Sequence, residues 1–522
     1  MNTLQAIEIE LKLALPPQQI EAFFKLMARR RGEPVQSKLL TRYFDTPDFE
    51  LSQQGVALRV RKIGRRWLQT LKTEGERQGG LSKRAEYEMT VPDGTPDWNR
   101  FPAVALARVP KSLREHLIPV FETRFTRTAW LISGIGGSKI EVALDVGEVL
   151  ALNNDRTNKC SQPICEIELE LKAGKPDALF ALAHDWAMKL DCLPLDVSKA
   201  ERGVGLTRGL SAMPVKFKRA ALTDDLSVET GFAAMMQACL TQFQANLPGV
   251  LSADDPEYVH QARIALRRLK ILLRLYRKIC ILPDALQDTL RELDEALGPA
   301  RDWDVLCDET LPAIAPHFDD TPIWLFGRGG LEARRAEARA NMREALGKAR
   351  PGAWLLALQR WVMQQAWRSR LHAGHTPSAK RDDTNKQQIL QQTALDTWAR
   401  RMLKKGHRQL VRDAYKRVPD DPVKRHALRI AVKHQRYAAD FFSPLLSNRE
   451  QARYQTAIQS LQAGLGHMND ASVAIGLISG STIKMGTMRP FVLGWLAAKQ
   501  TGVSKKELDN KLKNFIKMPT YW

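Results

Sequence analysis

Charged and apolar residues alternate along Ile7-Glu8-Ile9-Glu10-Leu11-Lys12-Leu13, near the start of this 522-residue chain. A period of two is that of a β-strand, so Glu8, Glu10 and Lys12 share one face and Ile7, Ile9, Leu11 and Leu13 the other. Taken alone, such a polar face reads as a solvated strand surface. The pattern recurs, however, in Arg59 and Arg61 of Ala57-Leu58-Arg59-Val60-Arg61 and in Lys72, which ends Leu68-Gln69-Thr70-Leu71-Lys72. Arg84, Glu86 and Glu88 alternate in the same way, as do Glu166, Glu168 and Glu170. A sheet with one face packed on helices and the other lined by both signs of charge can close into a polar tunnel. Carboxylates there suit a divalent cation, and Lys and Arg suit a polyanion.

The elements that position these residues follow from the intervening sequence. Strands are expected at 39–45, 56–62, 67–73, 83–91, 121–133, 139–145 and 163–172, with Gly-rich turns such as Gln78-Gly79-Gly80 between them. Residues 17–31 read as an amphipathic helix with Ile20, Phe23, Phe24 and Met27 on its apolar face, ended by Arg29 to Arg31 against the helix dipole. A second helix is expected at 176–190, and Pro92 to Pro119 reads as loop and short helix. Gly134-Ile135-Gly136-Gly137 is a turn between strands. It lacks the Lys-Ser/Thr ending of a phosphate loop. Val197-Ser198-Lys199 brings one more cation back, and residues 213–225 read as a linker.

From about residue 226 the periodicity is helical. His260, Arg263, Arg267 and Lys270 lie three, four and three apart, which puts them on one helix face. His426, Arg429, Lys433 and Arg436 repeat that spacing 166 residues later, and Leu297-Gly298-Pro299-Ala300-Arg301-Asp302 has a counterpart in Leu465-Gly466-His467-Met468-Asn469-Asp470, 168 residues on. Two motifs at nearly one offset indicate an internal duplication. Each basic face, taken singly, reads as solvated surface or interhelical ion pairs. Its repetition favours a shared anionic ligand.

Charge is distributed in accord with this division. Residues 1–210 carry 31 Lys and Arg against 27 Asp and Glu, whereas residues 211–522 carry 48 against 31, so most of the net +21 lies in the second half. Such an excess calls for a polyanion: nucleic acid, an anionic membrane or polyphosphate. No apolar run is long enough for a membrane span, and the first residues, without a basic region followed by an apolar core, lead one to expect no secretory signal. The six Cys, at 160, 165, 192, 239, 280 and 307, have neither Cys-x-x-Cys spacing nor paired His, and read as reduced thiols of a cytoplasmic protein.

The ordered motifs of the first half resemble the CYTH superfamily, the triphosphate tunnel metalloenzymes. They are Glu8-x-Glu10-x-Lys12, Tyr43-Phe44-Asp45-Thr46-Pro47, Leu58-Arg59-Val60-Arg61, Arg127-x-x-Trp130, Leu144-Asp145-x-Gly147-Glu148 and Ser198-Lys199-x-x-Arg202-Gly203, within residues 5 to 210. Pro163-Ile164-Cys165-Glu166-Ile167-Glu168-Leu169-Glu170-Leu171 looks like the wording of bacterial inorganic triphosphatases with a second, helical domain. The duplicated half, about 226 to 515, resembles the CHAD domain, whose implied ligand is inorganic polyphosphate; Trp303 and Val305 also fit.

The resemblance implies a multidomain chain. An α+β tunnel domain at 1–212, an antiparallel eight-stranded β-barrel, precedes an all-α duplicated bundle at 226–515, with repeats at about 226–310 and 390–515. The region between, about 310 to 390, reads as a helical connection interrupted by loops.

It further implies that Lys12, Arg59, Arg61, Lys72, Arg127 and Lys199 bind a triphosphate. Glu8, Glu10, Asp145, Glu166 and Glu168 would hold Mg2+ or Mn2+, and Glu86, with Lys12, would serve catalysis. Arg127 and Arg124 are an odd number of residues apart, so only one faces inward on a regular strand, and family position selects Arg127. In the helical half, His260, Arg263, Arg267, Lys270, His426, Arg429, Lys433 and Arg436 would contact polyphosphate. Asp302 and Asp470 would order the Arg side chains or cap helices.

The leading expectation is a cytoplasmic triphosphatase, associated with polyphosphate granules through its helical half. Two alternatives stay open: a polyphosphate-granule scaffold without turnover, and a CYTH enzyme acting on an organic triphosphate such as ATP or thiamine triphosphate. A nucleic-acid partner has only the charge excess in its favour, since no base-reading motif is present.

Overall fold

A computed structural model of the chain describes residues 6–30, 32–152, 160–368, 392–414, 422–446, 449–502 and 505–522. Arg31, the polar stretch from His375 to Gln387, and the side chains of His467 and Met468 lie outside what is described. The chain divides into a barrel unit, Met1–Met213 with Arg350–Arg360, and a helical unit, Pro214–Ala349 with Trp361–Trp522.

The alternating sequence of the first half produces strands β1 (Ala6–Ala14), β2 (Val35–Asp45), β3 (Ala57–Ile63), β4 (Arg66–Lys72), β5 (Glu76–Gln78), β6 (Leu81–Val91), β7 (Ile118–Ser133), β8 (Lys139–Ala151), β9 (Ser161–Ala173) and β10 (Leu193–Pro194). Hydrogen bonding runs β1-β9-β8-β7-β2-β3-β4-β6 and returns from β6 to β1, which closes the eight-stranded antiparallel barrel that the sequence leads one to expect. The short β5 and β10 pair with β6 and β1. Register sets the interior. Lys12 lies across from Glu168, Arg127 from Asp145, Asp145 from Glu166, Lys72 from Glu86 and Glu8 from Arg84. A one-residue slip in any strand would turn its charged set outward.

The outward apolar face is covered by helices α1 (Ile20–Ala28) and α2 (Asp177–Ala187). Leu11, Leu13, Trp130, Ile140, Val142, Ile167 and Leu169 pack there with Phe23, Met27, Phe180 and Trp186. The helix expected at 17–31 is shorter, because Pro17–Gln19 forms a single 3-10 turn. Phe24 is not a core residue: it is 41% exposed and touches Phe23 and Trp130 only ring-edge to ring. Residues 350–360 also belong to this unit, with Ala353 and Leu356 in the same core and Arg360 donating twice to Asp177, at 2.6 and 2.8 Å. The segment Pro92–Pro119 supplies Phe101, Ala105 and Val109 against Leu58, Val60, Leu71 and Tyr87.

The interior is not polar throughout. Leu39, Tyr43, Phe121, Phe125, Val149 and Ile164 form an apolar cluster, joined by Ala200 and Val204 of helix α3 (Lys199–Thr207). Helix α3 starts from a capping box. Ser198 Oγ accepts from the Glu201 backbone N–H, and Glu201 accepts from the Ser198 backbone N–H. Gly203 is required by proximity, since a Cβ there would lie 2.1 Å from the Phe121 ring. The motif Ser198-Lys199-x-x-Arg202-Gly203 thus caps the helix, seats it on Phe121 and aims its first residue, Lys199, into the barrel.

The helical unit contains α4 (Val228–Ser252), α5 (Pro256–Tyr276), α6 (Asp284–Val305), α7 (Thr321–Ala349), the last turn of α8 (Pro351–Met363), α9 (Leu395–Ala414), α10 (Pro422–Phe441), α11 (Arg449–Ser479), α12 (Met488–Gly502) and α13 (Lys505–Ile516). The succession α4-α5-α6 is repeated in α9-α10-α11. The segment read as a linker lacks regular structure yet is tied to this unit. Asn246 bonds both backbone groups of Val215 at 2.9 and 2.8 Å, and Phe217 lies under the Arg268 guanidinium at 3.9 Å.

Candidate functional site

The barrel brings the charged strand faces together in one interior, where Glu10, Lys12, Lys72, Asp145, Glu166 and Lys199 are all buried. Charges taken from water in this way need partners, and the interior supplies them reciprocally. Lys72 donates to Glu8 at 2.7 Å and lies 3.2 Å from Glu86. Lys12 is 3.1 Å from Glu10 and 3.4 Å from Glu168. Arg127 donates twice to Asp145, both at 2.7 Å, and also to Glu168. Lys199 donates to Asp145 at 2.7 Å, to Glu168 at 2.9 Å and to Glu166.

Asp145, Glu166 and Glu168 present ligand oxygens within 4.8 Å of one another. An all-oxygen donor set of this kind fits a hard divalent cation. Glu8 and Glu10 do not join that group. They are engaged instead by Arg84, which donates to Glu10 at 2.7 Å and to Glu8 at 3.3 Å.

Arg61 stands apart. Its Nε donates to Thr41 Oγ1 at 3.1 Å, and among the described residues it has no carboxylate partner. Burial and the neighbouring Arg59 and Arg127 push its guanidinium down to about 10. Arg59 is also buried, but Tyr43, Glu86 and Glu8 outweigh that penalty and hold it above its ordinary value. Burial likewise opposes the charge on Lys199, and Asp145, Glu166 and Glu168 overcome it, raising the ammonium. For Glu168 the cations Lys199, Arg127 and Lys12 overcome burial and keep the carboxyl well below its usual range. Glu86 is lowered in the same way by Lys72 and Arg59.

Three residues here are named in the sequence motifs but were given no role in the site. Arg84 faces inward in alternation with Glu86, a signal that was visible. Tyr43 lines the site, stacked on Phe121 at 4.4 Å and bonded to Arg59. Arg202, one turn along α3, reaches Glu166. Asp45, two residues after Tyr43, is a structural anchor that accepts from the backbone N–H groups of Leu51 at 2.9 Å and Ser52 at 3.0 Å.

In the helical unit, α5 and α10 bring the two repeats into electrostatic contact. Burial, Arg267 and Arg429 depress the Lys433 ammonium to about 7. Arg429 is lowered by burial despite Asp470, and its buried Nε has no hydrogen-bond partner among the described residues. Asp302 is raised by burial, with Asp470 adding to the effect. Arg263 donates to Gly298 O at 2.6 Å and lies 3.9 Å from Asp302. Arg263, Arg267, Arg429 and Lys433 therefore share one cleft with Asp302 and Asp470.

The other motif residues are disposed differently. Lys270 pairs with Asp294 at 2.6 Å, and Arg436 lies over the Tyr437 ring at 4.5 Å. His260 is half-buried near Arg301 and Arg267, and its imidazole is lowered chiefly by burial. His426 is exposed.

Comparison with known proteins locates both patterns. The CYTH domain matches residues 6–204 and the CHAD domain residues 234–479. An inorganic triphosphatase of Haemophilus influenzae is 31% identical over 281 residues, which is 53% of this chain and 77% of that protein. The crystal structure of the CHAD domain from the plant Ricinus communis aligns at 27% identity with a TM-score of 0.50, covering 60% of this chain and 99% of that one. No helix among the described residues is long and apolar enough to cross a membrane.

Proposed function

The chain belongs to the CYTH family and carries a CHAD domain, and from that premise we propose that the barrel hydrolyses inorganic triphosphate to diphosphate and orthophosphate, assisted by Mg2+ or Mn2+, while the helical unit binds inorganic polyphosphate. The observation that carries the first part is the meeting of an all-oxygen acidic group, Asp145, Glu166 and Glu168, with cations from several strands in one buried interior. A divalent cation held by those carboxylates would act as a Lewis acid on phosphoryl oxygens.

The chain's own residues do the rest. Arg59 and Arg61 offer planar, two-pronged donors to phosphate oxygens, and Lys12, Lys72 and Lys199 act as point charges along the substrate. Arg61, with no carboxylate bonded to it among the described residues, gains most when an anion arrives. Glu86 stays ionised at neutral pH and can accept a hydrogen bond from the attacking water. A bond forms from the water oxygen to the terminal phosphorus and the bridging P–O bond breaks, its electron pair leaving on diphosphate, while the proton the water sheds is taken up by a phosphate oxygen of the products. Lys12 then sits to offset charge on that leaving group.

An inorganic substrate is favoured by the lining. Tyr43, the aromatic side chain among the described residues that line the cavity, has one face on Phe121 and its hydroxyl on Arg59, so it offers no clamp for a base or thiazole ring. For the helical unit, support comes from Arg263, Arg267, Arg429 and Lys433 outnumbering the carboxylates of their cleft. Phosphate release from triphosphate, ATP, thiamine triphosphate and long-chain polyphosphate, each with Mg2+, Mn2+ or chelator, tests the proposal. The expected result is metal-dependent turnover selective for triphosphate. Turnover that persists in chelator, or that prefers ATP, would refute it.

A further inference from the structure

Helix α9 carries a charged face that belongs neither to the barrel interior nor to the α5/α10 cleft. Arg400, Arg401, Lys404, Lys405, Arg408 and Arg412 are all exposed and line one surface concavity. Their spacing keeps them on one side of the helix. The other side, with Leu395, Trp398, Leu403, His407 and Leu410, is buried in the helical unit. At the α-helical rise the run is about 18 Å long.

Counter-charge is sparse along it. Arg400 donates to Asp396 at 2.7 Å and Arg412 to Gln409 Oε1 at 2.7 Å. Among the described residues, Arg401, Lys404, Lys405 and Arg408 have no carboxylate partner. The sequence also sets like charges four apart, at 400 and 404, 401 and 405, 404 and 408, and 408 and 412. Each such pair opposes helix formation by about 0.2–0.5 kcal/mol. A helix that folds against this repulsion, on a face exposed among the described residues, offers those cations to an anionic partner.

The surroundings narrow the class of partner. A single-stranded nucleic-acid track interleaves cations with open aromatic faces on which bases stack. The aromatic ring at this face, Trp522, is instead packed against His407 at 5.6 Å, Tyr454 at 5.1 Å and Tyr521 at 4.7 Å, and its Nε1 is buried. A membrane-binding helix exposes large apolar side chains beside its cations, and α9 exposes none. What remains is a linear polyanion that presents phosphate alone. We infer that the exposed face of α9 is a second polyphosphate-binding track, sharing no residue with the α5/α10 cleft. The inference rests on the reading of the helical unit as a polyphosphate binder.

The test uses the full chain in salt titrations with long-chain polyphosphate and, separately, single-stranded RNA. A track variant, Arg401→Gln with Lys404→Gln, Lys405→Gln and Arg408→Gln, is compared with a cleft variant, Arg267→Gln with Lys433→Gln, and with their combination. All four track residues are exposed, so an unchanged melting temperature checks the fold. The expected result is at least about a tenfold loss of polyphosphate affinity in the track variant, with a shallower salt dependence, and a further loss when the two sets are combined. Wild-type affinity and slope in the track variant would overturn the track while leaving the cleft reading intact. Loss of RNA binding with polyphosphate binding unchanged would make the face a nucleic-acid surface and overturn the inference. No polyphosphate binding by the wild type would overturn both readings together.

Discussion

Inside the barrel, Lys199 contacts Asp145, Glu166 and Glu168, and Arg127 grips Asp145 with two hydrogen bonds. In the helical cleft, Arg267, Arg429 and Lys433 face one another with Asp302 and Asp470 as counter-charges. Both regions collect cations from segments far apart in sequence, but only the barrel answers nearly every cation with a carboxylate. Such an interior is fixed before ligand arrives and suits chemistry, where groups must be preorganised around a developing charge. A cleft with excess cations holds anions by charge alone, without selecting length or shape, and its grip must weaken with salt.

The difference can be broken most severely at the carboxylates. Asp145→Asn removes the acceptor of Arg127 and Lys199 at a fully buried position. Lys199 keeps Glu166 and Glu168, and Arg127 keeps Glu168, so breaking the buried Asp145 pairs should cost about 3 kcal/mol of stability, read by urea denaturation, and triphosphate turnover should fall with it. Asp302→Asn, at a carboxylate raised by burial and 42% exposed at its side chain, should stay within about 1 kcal/mol. Equal destabilisation would erase the contrast.

Arg61→Ala sharpens it from the other side. No ion pair among the described residues is broken, so melting should change little, while KM for triphosphate rises about tenfold to a hundredfold for a lost charge-assisted contact. An unchanged KM would remove Arg61 from substrate binding. Ionic strength should separate the regions further. Between about 50 and 200 mM salt, polyphosphate affinity of the full chain should drop at least about tenfold, with KM for triphosphate less affected.

The smallest expected effect is one of pH. Lys433 is depressed to about 7 in the free cleft, and a bound anion favours its charged form. Affinity for polyphosphate should therefore be flat below pH 7 and fall as pH rises above it, by no more than about tenfold per unit for one linked proton. Lys433→Arg, charged throughout, should flatten the profile in binding titrations across pH 6 to 9.

What the sequence made legible follows from periodicity. Period-two alternation identified the strands and put Glu8, Glu10, Lys12, Arg59 and Arg61 on inward faces, and period-3.6 spacing exposed the duplication. Three-dimensional register was not legible in the same way. That Asp145, Glu166 and Glu168 converge while Glu8 and Glu10 are drawn off by Arg84 depends on which residues oppose each other on β8, β9, β1 and β6.

The apolar cluster around Phe121 and Phe125 escaped because a charged interior was extended along the whole barrel. On the helices, a shared face did not mean a shared cleft. Lys270, one turn beyond Arg267, turns to Asp294. Residues 350–360 join the barrel unit through tertiary packing that no local pattern announces.

The most direct measurement is phosphate release from triphosphate, with Mg2+ or Mn2+, by wild type and Glu10→Gln, alongside polyphosphate affinity of the same two proteins. Glu10 is buried, 2.7 Å from Arg84 and 3.1 Å from Lys12, and Gln keeps its shape without its charge. Turnover should fall by about a hundredfold or more, as for loss of a preorganised charged group in a buried site, while polyphosphate affinity stays within twofold. Turnover within a few-fold of wild type, in a variant that still binds polyphosphate, would contradict the assignment of hydrolysis to the barrel's paired interior.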